Sequence, residues 1–334
     1  MCYGYDGHEA LHRSLDTRDA PAPGGPSRRT VLRGALTGAA GLALTGTAAG
    51  TAAAGQHQNG WPPQGRRRVP PGRISLQLWT VREGLGEPWG PGDYDETLTA
   101  VARTGYPRVE QALGYFGRTA RELRAFYDDI GLRASSSHDG ISESRAAMHE
   151  KFQNAVTLGQ RYVVVPFLSS ESLSDWTLWA EQMNTEARVA RQYGLAYGYH
   201  NHAHEFTTDL GGGITPWDVL MSRLDRRYVH LEVDIYWVVT AGVNLGLSND
   251  AAQRFAIRTI RRSPLQVRQY HVKDRHTTGP EETSHADLGT GFIDFERFFR
   301  AHQVEEYIVE NDTPDVTYLQ TADVGYDYLR RIRF

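Results

Sequence analysis

From Ile74 to the C-terminus the chain alternates eight times between a short apolar run and a longer stretch with helical periodicity, and this alternation constrains the fold more than any other feature. The runs ISLQLWTV, PRVEQ, LRASSSH, RYVVVPF, LAYGYHNH, YVHLEVDIYW, VRQYHVKD and EYIVEND read as strands. Helices are expected near 94–104, 119–130, 142–158, 174–193, 216–224, 250–262, 295–302 and 315–331. Gly105, Gly131, Gly159 and Gly194 each precede the next strand, where a left-handed residue ends a helix at an αβ turn. Eight such units in about 260 residues have the size of a (β/α)8 barrel. No G-x-G-x-x-G follows the first strand, which weakens the alternative of an open doubly wound sheet. The expected fold class is α/β, a single (β/α)8 TIM barrel over residues 73–334.

The barrel is expected to follow a leader and a tether. Within residues 1–54, SRRTVLRG (Ser27 to Gly34) precedes a mildly apolar Gly/Ala/Leu/Thr stretch that ends at Ala52-Ala53-Ala54. Twin arginines before such a segment and a small-residue cleavage site resemble a twin-arginine signal peptide. The segment is rich in Gly and Thr and lacks a sustained Leu/Ile/Val core, which argues against a stable membrane anchor. The reading makes the twin-arginine translocase a partner during export and the product secreted or extracytoplasmic. Residues 55–72, GQHQNGWPPQGRRRVPPG, combine Gly, Pro and Arg without a period and read as a flexible, disordered linker.

Charge and cysteine use narrow the chemistry. Without residues 1–54 the chain keeps 31 basic and 36 acidic side chains, a balance unlike the basic face that nucleic acid requires. The only cysteine, Cys2, lies in the presumed leader, so any metal must be held by His, Asp and Glu.

In a barrel of this kind the chemistry gathers at the carboxyl ends of the strands. Reading the last polar residues of each strand gives Gln77 and Arg82, then Glu110, then His138, then none beyond Pro166 and Phe167. The second half is richer: His200, Asn201 and His202; Asp234; His271 and Lys273; Glu310 and Asp312. His200, Asp234, His271 and Glu310 are separated by 34, 37 and 39 residues, near one strand–helix unit each. Four successive strands can therefore aim four N/O ligands at one point. Two imidazoles in the set favour one divalent Mn, Zn, Fe or Co over Mg or Ca. Lys273 is one of only two lysines, with Lys151, in a chain that otherwise uses Arg. A compact ammonium can approach an oxyanion where a guanidinium cannot, so Lys273 is a catalytic candidate beside Glu310 and Glu110. Gln77, Arg82, His138, Asn201, His202 and Trp237 are candidate substrate contacts; for Trp237, as for Trp79 and Tyr236, an aromatic wall for a sugar ring and core packing remain equal readings. The Gly-rich turn DLGTGFID, Asp287 to Asp294, reads as a mouth-closing loop or a weak phosphate cradle.

YHNHAHEF, HLEVDIYWVVTAG, YHVKDR, DLGTGFIDF and IVEND, in that order, resemble the xylose isomerase-like TIM barrel superfamily in its sugar phosphate isomerase/epimerase branch. The resemblance implies a divalent metal at the ends of strands five to eight, held by Glu, Asp, His and Glu. Asp234, His271 and Glu310 match, and His200 stands where the first Glu would be. The family's epimerases exchange a proton between two metal-bound glutamates, so here Glu110, His202 or Lys273 must supply the partner of Glu310.

These readings converge on an exported, metal-dependent isomerase or epimerase acting on a keto-sugar or oxidised glycoside through an enediolate. Two alternatives stand beside it: a lyase that eliminates the aglycone of a 3-keto-glycoside, and a non-catalytic exported sugar-binding barrel. Cleavage of damaged DNA, another activity of the superfamily, conflicts with the acidic balance and the leader.

Overall fold

Eight of the short apolar runs pair side by side in parallel. The computed structural model describes residues 67–86, 92–281 and 283–334. Its strands are β1 (Ile74–Gln77), β2 (Arg108–Gln111), β3 (Ala134–Ser137), β4 (Tyr162–Val165), β5 (Ala196–His200), β6 (Val229–Asp234), β7 (Gln266–Val272), β8 (Asp274–Arg275), β9 (His285–Ala286) and β10 (Glu306–Val309). The order β3-β2-β1-β10-β7-β6-β5-β4 forms one sheet, and β8 and β9 form a small antiparallel hairpin. A parallel bridge between His138 and Val164, with the Asp139 N–H donating to the Val164 carbonyl at 2.9 Å, brings the two edges together. The result is the expected TIM barrel.

The helices are α1 (Tyr94–Thr104), α2 (Ala120–Ile130), α3 (Arg145–Leu158), α4 (Leu173–Gln192), α5 (His204–Thr207), α6 (Pro216–Arg223), α7 (Ile235–Asn244), α8 (Asn249–Arg262), α9 (Phe295–Ala301) and α10 (Tyr318–Arg331). Capping boxes at Thr119/Glu122, Thr215/Asp218 and Thr317/Gln320 start α2, α6 and α10 by satisfying free amides reciprocally. Gly105, Gly131, Gly159 and Gly194 take φ of 106°, 81°, 84° and 80°, the left-handed stops expected of them. Trp176, Phe152, Tyr127 and Leu123 bury completely in the layer between helices and strands. Each such side chain contributes roughly 1.5–3 kcal/mol.

Two details differ from the sequence reading. The sixth strand stops at Asp234 instead of reaching Trp237, because the Asp234 carboxylate accepts from the Trp237 N–H at 3.1 Å and caps α7. The apolar text of Ile235–Trp237 thus belongs to a buried helix. The leader lies outside the described residues, as does the tether up to residue 66. Of the tether's remaining residues, Arg67 exchanges both backbone hydrogen bonds with Phe334, at 2.6 and 3.0 Å, and Val69 is buried. No helix among the described residues is long and apolar enough to cross a membrane.

Strand register sets up the site. It places Gln77 beside Glu110, His200 beside Glu232, and Asp234 beside His271. Side chains on neighbouring strands at one register level point to the same face, so these polar residues meet inside the barrel.

Candidate metal centre

The barrel interior is polar from bottom to top. In the lowest layer the fully buried Glu306 carboxylate accepts from Ser75, Ser135 and Gln269, and Gln269 Oε1 lies 3.0 Å from His230 Nε2. Gly198 on β5 leaves room for that His230 ring, since a Cβ there would lie 2.6 Å from Nε2.

The middle layer orients the His138 ring. The Trp79 N–H donates to Gln77 Oε1 at 3.1 Å, so the Gln77 amide nitrogen must face Glu110 Oε2, at 2.7 Å, and His138 Nδ1, at 3.1 Å. His138 Nδ1 therefore accepts, and its Nε2 donates to Glu232 Oε1 at 2.8 Å. His271 Nε2 lies 2.6 Å from Glu110 Oε2 and 3.0 Å from Glu232 Oε1. His200 Nδ1 lies 3.3 Å from the same Glu232 oxygen. Three imidazoles thus converge on one carboxylate oxygen. Their arrangement turns His271 Nδ1 and His200 Nε2 upward, toward Glu310 Oε2 at 2.9 Å and Asp234 Oδ2 at 3.8 Å.

The upper layer fits a divalent ion. One donor atom from each of His200, Asp234, His271 and Glu310 lies within 4.8 Å of the others. A set that size closes on an ion bound at about 2.0–2.2 Å with small side-chain shifts. Asp234 Oδ2 is buried and accepts no hydrogen bond, with the Lys273 ammonium 3.3 Å away. His138, His200, Glu232 and His271 are equally close together. Because His138 Nε2 is committed as a donor to Glu232, that second set acts as the hydrogen-bonded floor of the upper one, the usual support for metal-bound imidazoles.

Lys273 complicates the upper layer. Its Nζ lies 2.7 Å from Glu310 Oε2, 2.8 Å from Asp312 Oδ2 and 3.3 Å from Asp234 Oδ2. The ammonium therefore already neutralises two of the ligand carboxylates, and a metal ion would push it toward Asp312.

Electrostatics follow from burial and from these pairs. Burial, then the neighbouring Glu232 carboxylate, raises Glu110 to about 7. Burial also raises Asp234 to about 6 and lowers His200 to about 3. Burial opposes the charged form of Glu310, yet Lys273 and His271 hold it well below the usual carboxylate range. Burial opposes a charged His271 too, but Glu232, Glu310 and Glu110 hold it well above an ordinary imidazole. His202 is kept neutral by burial and by His200.

A cavity of about 390 Å3 opens above the ligand cluster. Among the candidate residues, Arg82, His200, His202, Trp237, Lys273 and Glu310 line it. Trp79 and Phe167 add aromatic wall, with Arg82 stacked 4.8 Å over Trp79 and its Nη2 donating to the Asp312 carbonyl at 2.5 Å. Gln77, Glu110, His138, Asn201, Asp234 and His271 are not among its lining residues. The first three belong to the floor, and Asn201 exchanges hydrogen bonds with the Asp234 backbone at 3.2 and 3.4 Å, tying β5 to β6. The Asp287–Asp294 loop holds no free cradle: the amides of Gly289, Gly291 and Ile293 all donate to the Asp274 carboxylate, at 3.0, 3.0 and 3.1 Å. Two site residues escaped the sequence reading. Glu232 stands two positions before Asp234, so strand alternation already put it on the same face. His285, on the hairpin strand β9, lines the cavity without any strand-end signal.

A barrel with imidazole and carboxylate side chains gathered at the ends of four successive core strands has a donor set that could hold a divalent ion. Residues 98–310 match the model of the xylose isomerase-like TIM barrel family, and the chain is a member of that family. Among solved structures it is similar to a sugar phosphate isomerase/epimerase from Parabacteroides distasonis ATCC 8503, at 22% identity and a TM-score of 0.59 over 78% of this chain and 94% of that one. It is also similar to the IolI protein with a bound zinc atom, at 14% identity and a TM-score of 0.57 over 77% and 96%. A xylose isomerase-like TIM barrel protein from Mycobacterium smegmatis in complex with magnesium matches at 15% and 0.56 over 78% and 95%. Similarity at these identities is one of fold. No curated protein matches the sequence.

Proposed function

We infer that the chain is a divalent-metal-dependent isomerase or epimerase of a neutral keto-sugar or oxidised glycoside, exported folded by the twin-arginine route. The observation that supports this most is the four-residue cluster of His200, Asp234, His271 and Glu310, two of whose members, His200 and Glu310, line the aromatic-walled cavity. A divalent ion in that cluster would polarise a sugar carbonyl and its neighbouring hydroxyl, acidifying the adjacent C–H.

The chain's own residues supply the rest. Trp79, Trp237 and Phe167 offer apolar faces to a sugar ring and exclude water. Lys273 presents an ammonium to the negative oxygen of the enediolate as charge develops there. His202 sits edge-on to Phe167 and tilted on Trp237, with ring centroids 5.1 and 5.2 Å away, as a neutral imidazole that can take and return the proton. It thereby fills the role left by the glutamate that His200 replaces. Glu110, beneath His271, holds that ring and has no direct path to a substrate in the cavity. Glu310, kept anionic by Lys273, serves as ligand and as proton acceptor on the opposite side.

The test is incubation of metal-loaded protein with neutral ketoses and 3-keto-glycosides in D2O, followed by NMR. Deuterium at the carbon beside the carbonyl, with the aglycone retained, is the expected result. Release of the aglycone means that the intermediate eliminates and the enzyme is a lyase. No exchange and no turnover with saturable sugar binding means a binding protein.

A further inference from the structure

The opposite end of the barrel carries a second cavity, of about 430 Å3, which the mechanism does not use. Its wall holds Arg161 before β4, Arg191 near the end of α4, Arg226 and Arg227 in the turn before β6, and Arg268 on β7; the buried His230 closes its inner side. Five guanidinium groups there face two carboxylates. Glu305 lies 2.5 Å from Arg161 and 3.8 Å from Arg268, and Asp225 lies 2.6 Å from Arg227. Among the described residues Arg191 and Arg226 have no carboxylate partner. A local excess of three positive charges is unusual on a chain whose net charge is −4. Like charges gathered around one cavity repel, so the arrangement costs stability unless an anion offsets it.

Three of the five guanidinium groups also lie over aromatic rings. Arg161 lies 5.1 Å over the Tyr162 ring, and Arg191 and Arg227 lie 5.4 and 5.3 Å from the Tyr228 ring. Stacking fixes the plane of a guanidinium while leaving its edge N–H groups free for a bidentate oxyanion. The charges gather around one open cavity and do not run along a stripe, which favours a compact ion over a polymer.

We propose that this cavity is a binding site for a compact polyvalent oxyanion carrying several phosphate- or sulfonate-type groups, separate from the metal centre. The probe is naphthalene-1,3,6-trisulfonate, which does not strip divalent metal, titrated calorimetrically into the metal-loaded full chain at about 150 mM salt, where exposed charges are largely screened. Expected are one site per chain and a rise in Tm with the probe. The double variant Arg191→Ala/Arg226→Ala removes two exposed side chains, so its fold and sugar turnover stay as in wild type. Its affinity falls by at least about tenfold, the loss expected for charge-assisted pairs. Without the probe its Tm equals or exceeds that of wild type, because repulsion is relieved. A dissociation constant weaker than about 10 mM, too weak for even one well-made charge-assisted contact, overturns the proposal. Equal affinity in the double variant places any binding elsewhere and overturns it as well.

Discussion

Replacing Lys273 by Met removes one ammonium from among three carboxylates at 2.7, 2.8 and 3.3 Å, at a position only 1% exposed. In metal-free protein this leaves Asp234 and Asp312 without the ammonium and Glu310 with His271 alone. Breaking a buried ion pair from one side costs about 3–5 kcal/mol. For a domain of this size that corresponds to roughly 6–20 °C in Tm. A bound divalent ion supplies the missing charge, so the deficit shrinks in metal-loaded protein, and the Met variant binds the ion more tightly because no ammonium competes for Asp234 and Glu310. Turnover responds differently. Loss of a preorganised oxyanion contact costs about 2.7–4 kcal/mol, a hundred- to thousand-fold in kcat, with KM little changed. Lys273→Arg fares little better, because a planar fork cannot occupy the place of a point charge. The assays are scanning calorimetry with and without metal, metal titration, and kcat per folded, metal-loaded molecule. Turnover of the Met variant within about threefold of wild type, well short of an oxyanion contact, together with a Tm restored by Arg, would refute a catalytic Lys273 and leave it a counter-ion.

The floor beneath the ligands gives a second prediction: Glu232→Gln, the same shape without the charge, weakens metal binding by roughly 10–100-fold, and an unchanged titration would show that the His200 and His271 rings need no such support. Export is tested by Arg28→Lys with Arg29→Lys, which should leave folded protein in the cytoplasm; undiminished secretion would mean another route. Acid stability follows from His230, which burial lowers to about 4. Below pH 6.5 the unfolded chain takes up a proton that the native ring refuses, so stability falls with pH and by about pH 4 has lost roughly 3 kcal/mol from this group. Denaturant melts between pH 7 and 4.5 should show a shallower decline for His230→Gln than for wild type, and equal slopes would remove the assignment.

The eight units were legible because each apolar run is closed by a specific device, a left-handed glycine before it or a polar strand end after it. The convergence of four metal-capable side chains was legible for a chemical reason. Few residue types bind a divalent ion, and His200, Asp234, His271 and Glu310 recur at the spacing of the units. Depth was not legible. Glu110 and His138 end their strands as Glu310 does, yet the register of β1, β2 and β3 drops them beneath the rings of His271 and His200. Glu232 lies inside its strand, two residues before Asp234, where a strand-end signal does not reach. Trp237 was misplaced because an apolar run has no period that separates strand from buried helix. Asp234 resolves that ambiguity only in three dimensions, where one carboxylate oxygen caps α7 and the other faces the cluster.

Whether His200, Asp234, His271 and Glu310 hold one divalent ion is decided by elemental analysis of purified protein beside its His271→Ala and Asp234→Ala variants. Wild type should carry about one ion per chain, and each variant should lose most of it, because three remaining ligands no longer close the coordination sphere. Stoichiometric metal retained in both variants, or none in wild type after loading, would contradict the account.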